Sequence, residues 1–259
     1  MRILAFALSV IALTLGTARA ADRVIDIPTR PGVTQRFVLI SPPDAKAAVV
    51  LFAGGHGGLQ ISDSGAFAWG RGNFLVRSAP LFARQQLVVA IIDAPSDRQS
   101  HPYLMGFRQT PEHAADVKAV IAWLREHTKL PVWLVGTSRG TQSAAGVAVQ
   151  LGGTHGPDGL VLTATLFGDA RGRPVPEMPV DSLRIPVLVV HHEQDECRYT
   201  LFRDAPQLMD KLTAAPRKEL VSFRGGESYG NPCEGQAYHG FRGLEEDVVS
   251  RISSWILTK

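Results

Sequence analysis

Residues 136–140 read Gly136-Thr137-Ser138-Arg139-Gly140, directly behind the apolar run Val132-Trp133-Leu134-Val135. A serine with glycine two places to either side can occupy a strand-to-helix turn too tight for side chains at the flanking positions. Such a turn lifts the hydroxyl clear of the backbone, where it can act as a nucleophile. A serine hydroxyl is weakly nucleophilic at neutral pH, so a base must take its proton and an acid must hold the base. Both residue types follow downstream. The run 185–190 ends in His191-His192-Glu193-Gln194-Asp195-Glu196-Cys197, and Ala237-Tyr238-His239-Gly240-Phe241 precedes the last helical stretch. Upstream, Val49-Val50-Leu51-Phe52 runs into Ala53-Gly54-Gly55-His56-Gly57-Gly58, a loop open enough for backbone N–H groups to approach an anion. These are the parts that acyl transfer needs. The bare Gly-x-Ser-x-Gly pattern arises by chance in roughly one chain in seven of this composition, so its weight comes from its context.

The elements that must carry these residues are legible as periodicity. Residues 24–40 predict a hairpin turning at 28–32. After Pro42-Pro43, apolar runs at 48–52, 87–92, 132–135, 160–166, 187–190 and 220–223 alternate with helical patterns, clearest at 111–128, 138–151 and 244–257. Runs that are apolar on both alternating faces fit buried parallel strands covered by helices on both sides. The alternation predicts an α/β fold, a doubly wound, mostly parallel sheet of about eight strands built from right-handed βαβ units. Ligands gather at the carboxyl ends of such strands, where 53–58, 136–140 and 191–197 all fall. With no internal repeat or low-complexity linker, residues 21–259 are expected to form a single domain.

In that setting Gly136-Thr137-Ser138-Arg139-Gly140 resembles the nucleophile elbow of the α/β-hydrolase superfamily, in its lid-less, exported serine esterase type. The resemblance spans roughly residues 48–257. It implies Ser138 as nucleophile, an acid in the loop after the next-to-last strand, and a histidine after the last strand. Asp195 is the acid on that order, with Glu193 and Glu196 one register away and Asp169 as a more distant alternative. His239 is the base by position, while His113, His127 and His155 read as solvated surface residues. The family's oxyanion donors would be the Arg139 N–H and an N–H of the glycine loop. Here His56 lies among the glycines instead of before them, so His56 and Gly57 are equally placed. Cys197 and Cys233 flank the acid and the base, so one disulfide between them would tie those two loops together. The implied activity is hydrolysis of a small-molecule carboxylic ester through an acyl-serine. The same residues would serve a thioesterase, lactone hydrolase or peptidase, and a catalytically silent member of the fold would keep the cleft for binding.

Too few residues separate 167 from 185 for a large helical lid. The substrate walls are therefore expected from 59–74, with Phe67, Trp69 and Phe74, and from 93–107, with Arg98, His101, Tyr103 and Phe107. Arg98, Arg108 and Arg139 would add positive potential suited to an ester carrying an acidic group. No cofactor is expected. Gly55-x-Gly57 meets Gln60 where a dinucleotide fingerprint needs glycine, and no His-Glu-x-x-His spacing marks a metal.

Composition sets the outer bounds. The chain has 259 residues, 45% hydrophobic and 20% charged, which excludes a disordered or low-complexity chain. Its formal charge is +3, but Arg2 and Arg19 lie in a segment of separate character. Residues 1–20 combine a basic start, an apolar run at 3–16 and Ala18-Arg19-Ala20, the pattern of a signal peptide cut after Ala20. An apolar run of roughly fourteen residues is too short for the ~20 of a spanning helix, so no stable membrane insertion is expected after cleavage. The expected location is periplasmic or secreted, where a disulfide persists. The rest holds no run of Lys or Arg, so no nucleic-acid partner is expected. The sequence assigns no oligomeric state.

Overall fold

The computed structural model describes residues 22–168 and 171–258. The segment 1–20, expected to be a signal peptide, and Asp169 lie outside the described residues. The hairpin forms as β1 (Arg23–Arg30) and β2 (Val33–Ile40). There follow β3 (Ala47–Phe52), α1 (Phe74–Arg84), β4 (Leu87–Ile92), α2 (Pro111–Thr128), β5 (Val132–Thr137), α3 (Gly140–Gln150) and β6 (Gly159–Thr163). β7 (Val187–His192), α4 (Ala205–Lys211), β8 (Lys218–Phe223) and α5 (Glu245–Leu257) complete the order. The strands join one eight-stranded sheet in the order β1-β2-β4-β3-β5-β6-β7-β8. The β1–β2 and β2–β4 pairs are antiparallel and every other pair is parallel.

The uniformly apolar central strands divide their side chains between two cores by the two-residue strand period. Val50, Leu134, Leu162 and Val189 face one core with Val117, Ile121 and Leu124 of α2 and Val147 of α3. Val49, Val135, Val161 and Val190 face the other with Phe74 and Phe82 of α1 and Val248, Ile252 and Trp255 of α5. The helices carry local start signals. Thr110 caps α2 by accepting from His113 N, Pro111 occupies the first turn, and Asn73 caps α1 through Leu75 N.

Several elements differ from the sequence reading, among them α4, a short helix that the periodicity does not mark, and β5, which runs on to Thr137. α1 is an added helix, obscured because Pro80 lies inside it and interrupts the ordinary helical signal. β6 stops at Thr163, since Ala164 turns to a left-handed φ of 43°. α3 starts at Gly140, leaving Ser138 in the turn itself. Among the described residues no helix is long and apolar enough to cross a membrane.

Candidate active site

The turn between β5 and α3 is forced by its neighbours. A Cβ on Gly136 would stand 2.5 Å from the Gly140 carbonyl oxygen, and one on Gly140 would run into the Phe52 carbonyl oxygen of β3. Ser138 therefore sits at φ 53°, a left-handed conformation that costs a non-glycine residue roughly 1–2 kcal/mol. Backbone bonds hold it there: Ser138 N donates to Thr163 O at 3.1 Å, and Thr141 N donates to Ser138 O at 2.9 Å. Thr163 Oγ1 donates to Gly136 O at 3.1 Å, tying the turn to β6.

The acid and the imidazole come from the loops after β7 and β8. His239 Nδ1 lies 2.9 Å from Asp195 Oδ2, and both side chains are buried. A proton on Nδ1, donated to Asp195, leaves Nε2 with its lone pair. Asp195 Oδ1 accepts from Cys197 N at 2.9 Å. Thr200 Oγ1 donates to Asp195 Oδ2 at 2.8 Å and lies 3.0 Å from His239 Nδ1, so it closes a three-member network. Nothing in the spacing singles out Thr200 except its place five residues after Asp195. Of the neighbouring acids, Glu193 turns away to Ser222 and Arg224, and those bonds hold its carboxyl below the usual range. Glu196 is exposed. Cys197 and Cys233 form a disulfide, which joins the Asp195 loop to the loop before His239.

Ser138 and His239 border the same cavity, of about 240 Å³. Gly54, Trp69, Asn73, Phe74, Cys233 and Gln236 contribute to its wall. The wall thus comes from 54–74 and 233–240, and Arg98, Tyr103 and Phe107 do not border it. Each of those three is engaged elsewhere. Tyr103 stacks on His56 with ring centroids 4.3 Å apart, Phe107 is buried against His113, and Arg98 lies over the Phe107 ring.

In the glycine loop, Gly54 and Gly55 border the cavity, whereas His56 and Gly57 are absent from its lining. His56 is packed between Trp69 and Tyr103, and burial followed by the Arg108 charge lowers its pKa. Gly57 backs onto Leu104 and Arg108. Arg139 stands at the start of α3, next to Ser138. Among the histidines read as surface residues, His127 and His155 are exposed but His113 is buried. The start of α2 turns His113 inward between Phe52 and Phe107, and burial followed by the nearby arginines Arg108 and Arg30 lowers its pKa to about 3.

No family model and no curated protein matches this chain. Solved structures do. A cold-adapted esterase from an Arctic intertidal metagenomic library matches at 16% identity and TM-score 0.61, over 95% of this chain and 99% of that one. Dienelactone hydrolase from Anabaena variabilis matches at 16% and 0.63, over 92% and 98%. A serine hydrolase without a lid from Xanthomonas campestris matches at 17% and 0.55, over 95% and 99%. The chain therefore has the α/β-hydrolase fold, mostly parallel and eight-stranded.

Proposed function

We propose that the protein is an exported serine hydrolase that cleaves small carboxylic esters through an acyl-Ser138 intermediate. One observation carries this reading: a serine on a left-handed turn shares a cavity with an imidazole whose far nitrogen is tied to a buried carboxylate. Ser138 Oγ attacks the ester carbonyl carbon as His239 Nε2 takes its proton. Asp195 holds the imidazole tautomer and stabilises the imidazolium. The carbonyl oxygen becomes an oxyanion, held by the Arg139 N–H and by an N–H of the glycine loop where Gly54 and Gly55 border the cavity. Collapse expels the alcohol, which takes its proton from His239. Water then attacks the acyl group by the same route, releasing the carboxylic acid and free Ser138.

The cavity, about 240 Å³, lies just below the range usual for drug-sized ligands and suits a short acyl chain against Trp69 and Phe74. A preference for acidic esters loses its support, because Arg98, Arg108 and Arg139 are all absent from this wall. Residues 1–20 act as the signal peptide and 21–259 as one mature domain, with the disulfide formed after export. The esterase and hydrolase descriptions of the structural neighbours agree with this class of chemistry.

A fluorophosphonate probe tests the reading. It is expected to label the mature wild type and not Ser138→Ala. Equal labelling of the variant, or none of the wild type, overturns the proposal. A panel of esters, thioesters, lactones and peptides then ranks the substrates, with short-chain neutral esters expected first.

A further inference from the structure

One buried guanidinium joins the two halves of the proposed oxyanion site. Arg108 precedes α2 and is 4% exposed. Its Nη1 donates to Ser143 Oγ of α3 at 2.9 Å. Its Nη2 donates to the carbonyl oxygens of Ala53 at 3.2 Å and Gly55 at 3.1 Å. Gly57 leaves it space, since a Cβ there would stand 2.5 Å from Nη2. Among the described residues no carboxylate forms an ion pair with it, and the neighbouring charge that acts on it is another cation, Arg139. Burial first and Arg139 second lower its pKa to about 9, which leaves it charged at neutral pH.

A buried cation held by neutral acceptors destabilises a fold, and a neutral donor could make the same hydrogen bonds. The placement makes sense where the charge itself is used. A trans peptide points its N–H opposite to its C=O. The Ala53–Gly54 and Gly55–His56 peptides aim their carbonyls at Arg108, so their N–H groups face away from it. Gly54 itself borders Ser138, its Cβ position lying 3.0 Å from the Ser138 Cβ.

We propose that Arg108 is the positioning residue of the oxyanion site: it clamps the loop after β3 to α3 and polarises the Ala53–Gly54 peptide, whose N–H belongs to the cavity-lining Gly54, toward the developing negative charge. Arg108 touches no reacting atom. It acts through that N–H, where a fixed dipole in a water-poor site has its largest effect on a transition state. This inference rests on the serine hydrolase reading above.

The test compares Arg108→Met, Arg108→Lys and Ser143→Ala with the wild type. Arg108→Met is expected to lower kcat about 100-fold, with KM within about threefold, the size of losing one oxyanion donor. Arg108→Lys keeps the charge without the fork and is expected to recover about tenfold of that loss. Affinity for a phenylboronic acid, which forms an anionic tetrahedral adduct on Ser138, should fall in parallel with kcat/KM. Affinity for the neutral alcohol product should not change. A purely structural Arg108 would lower Tm and leave both kcat and boronate affinity of the folded protein intact, which overturns the proposal. If the Arg108 variants do not fold, Ser143→Ala decides: it removes one anchor and should lower kcat and boronate affinity together, roughly fivefold. Unchanged values there also overturn it. A wild type that neither turns over esters nor takes the fluorophosphonate defeats the hydrolase reading itself, a result distinct from an active wild type matched by its Arg108 variants.

Discussion

The elbow at Ser138 stands at the centre of the sheet, while Asp195 and His239 sit on loops toward its β8 edge. β5 is buried at every position and β8 at none. At the centre, backbone meets backbone: Gly136 and Gly140 let β3, β5 and α3 approach within van der Waals contact, and Ser138 inherits its conformation from that packing. Toward the edge, the geometry depends on side chains and a covalent strap. Asp195 is held by Cys197 N, Thr200 and His239, and the exposed 224–234 segment is tied back through Cys233. The first half of the site therefore stands or falls with the fold. The second can lose its geometry while the fold survives.

Gly140→Ala should break the comparison at its stronger side. The new methyl meets the Phe52 carbonyl, a backbone atom that cannot move without β3. The expected cost exceeds about 3 kcal/mol, at the severe end for overpacking, seen as insoluble protein or a large fall in Tm. A soluble variant with near-native Tm would show that the elbow is more compliant than its contacts imply.

The edge half responds differently to loss of its strap. The disulfide closes a loop of 36 residues, for which the chain-entropy model gives roughly 4 kcal/mol and measured values commonly 2–4. In the Cys197→Ser/Cys233→Ser variant, activity in urea is expected to vanish at a lower concentration than far-UV circular dichroism. Coincident midpoints would mean that the strap supports the whole fold. Thiol titration of denatured, unreduced wild type should find no free thiol.

The contrast also explains what was legible beforehand. The Gly136-Ser138-Gly140 spacing is visible because backbone crowding leaves no other residue type for the flanking places, so local sequence carries a global contact. The central strands are legible for a similar reason, as buried runs with a fixed period, and the hairpin by its turn residues between two strand-forming stretches. The wall was not. Whether Trp69 or Tyr103 faces the cavity depends on how two long loops pack on each other, with His56 held between the two rings. From the sequence Arg108 is one of three arginines expected to add positive potential near the wall, and nothing in its spacing shows that it is buried behind the glycine loop. Thr200 and the Asp195 register depend on a turn whose hydrogen bonds no periodicity announces.

Two buried histidines, one in each region, sharpen the comparison further. Burial lowers His113, and His191 at the end of β7, to about 3. Above the ordinary value near 6.5 both folded and unfolded states are neutral and the titration of neither residue affects stability. As pH falls from there toward 3, only the unfolded chain takes up protons, so stability declines. At pH 5 each should cost about 2 kcal/mol. His113 has neither ring nitrogen partnered and lies among aromatic rings, so His113→Phe should keep Tm at pH 7.5 and raise it at pH 5. His191 Nε2 accepts from Thr165 N at 2.9 Å, so His191→Phe leaves that buried donor unpaired and should lower Tm even at pH 7.5. Equal behaviour of the two variants would remove the distinction.

The smallest expected effect falls on the network itself. Thr200→Val keeps the shape of the side chain and deletes the hydroxyl that bridges Asp195 Oδ2 and His239 Nδ1. Asp195 retains the Cys197 N–H on one oxygen and His239 on the other, so the imidazole keeps its tautomer but gains freedom to rotate. One neutral hydrogen bond to a charged acceptor is worth about 1.5–3 kcal/mol at most, and part of it returns as relaxation, so kcat should fall about three- to tenfold with KM nearly unchanged. In the disulfide-free background the same substitution should cost more, because the two constraints hold one loop and neighbouring constraints do not add. Equal costs in both backgrounds would mean that the strap and the hydroxyl act on different parts of the loop, and that the edge half of the site is stiffer than its exposure suggests.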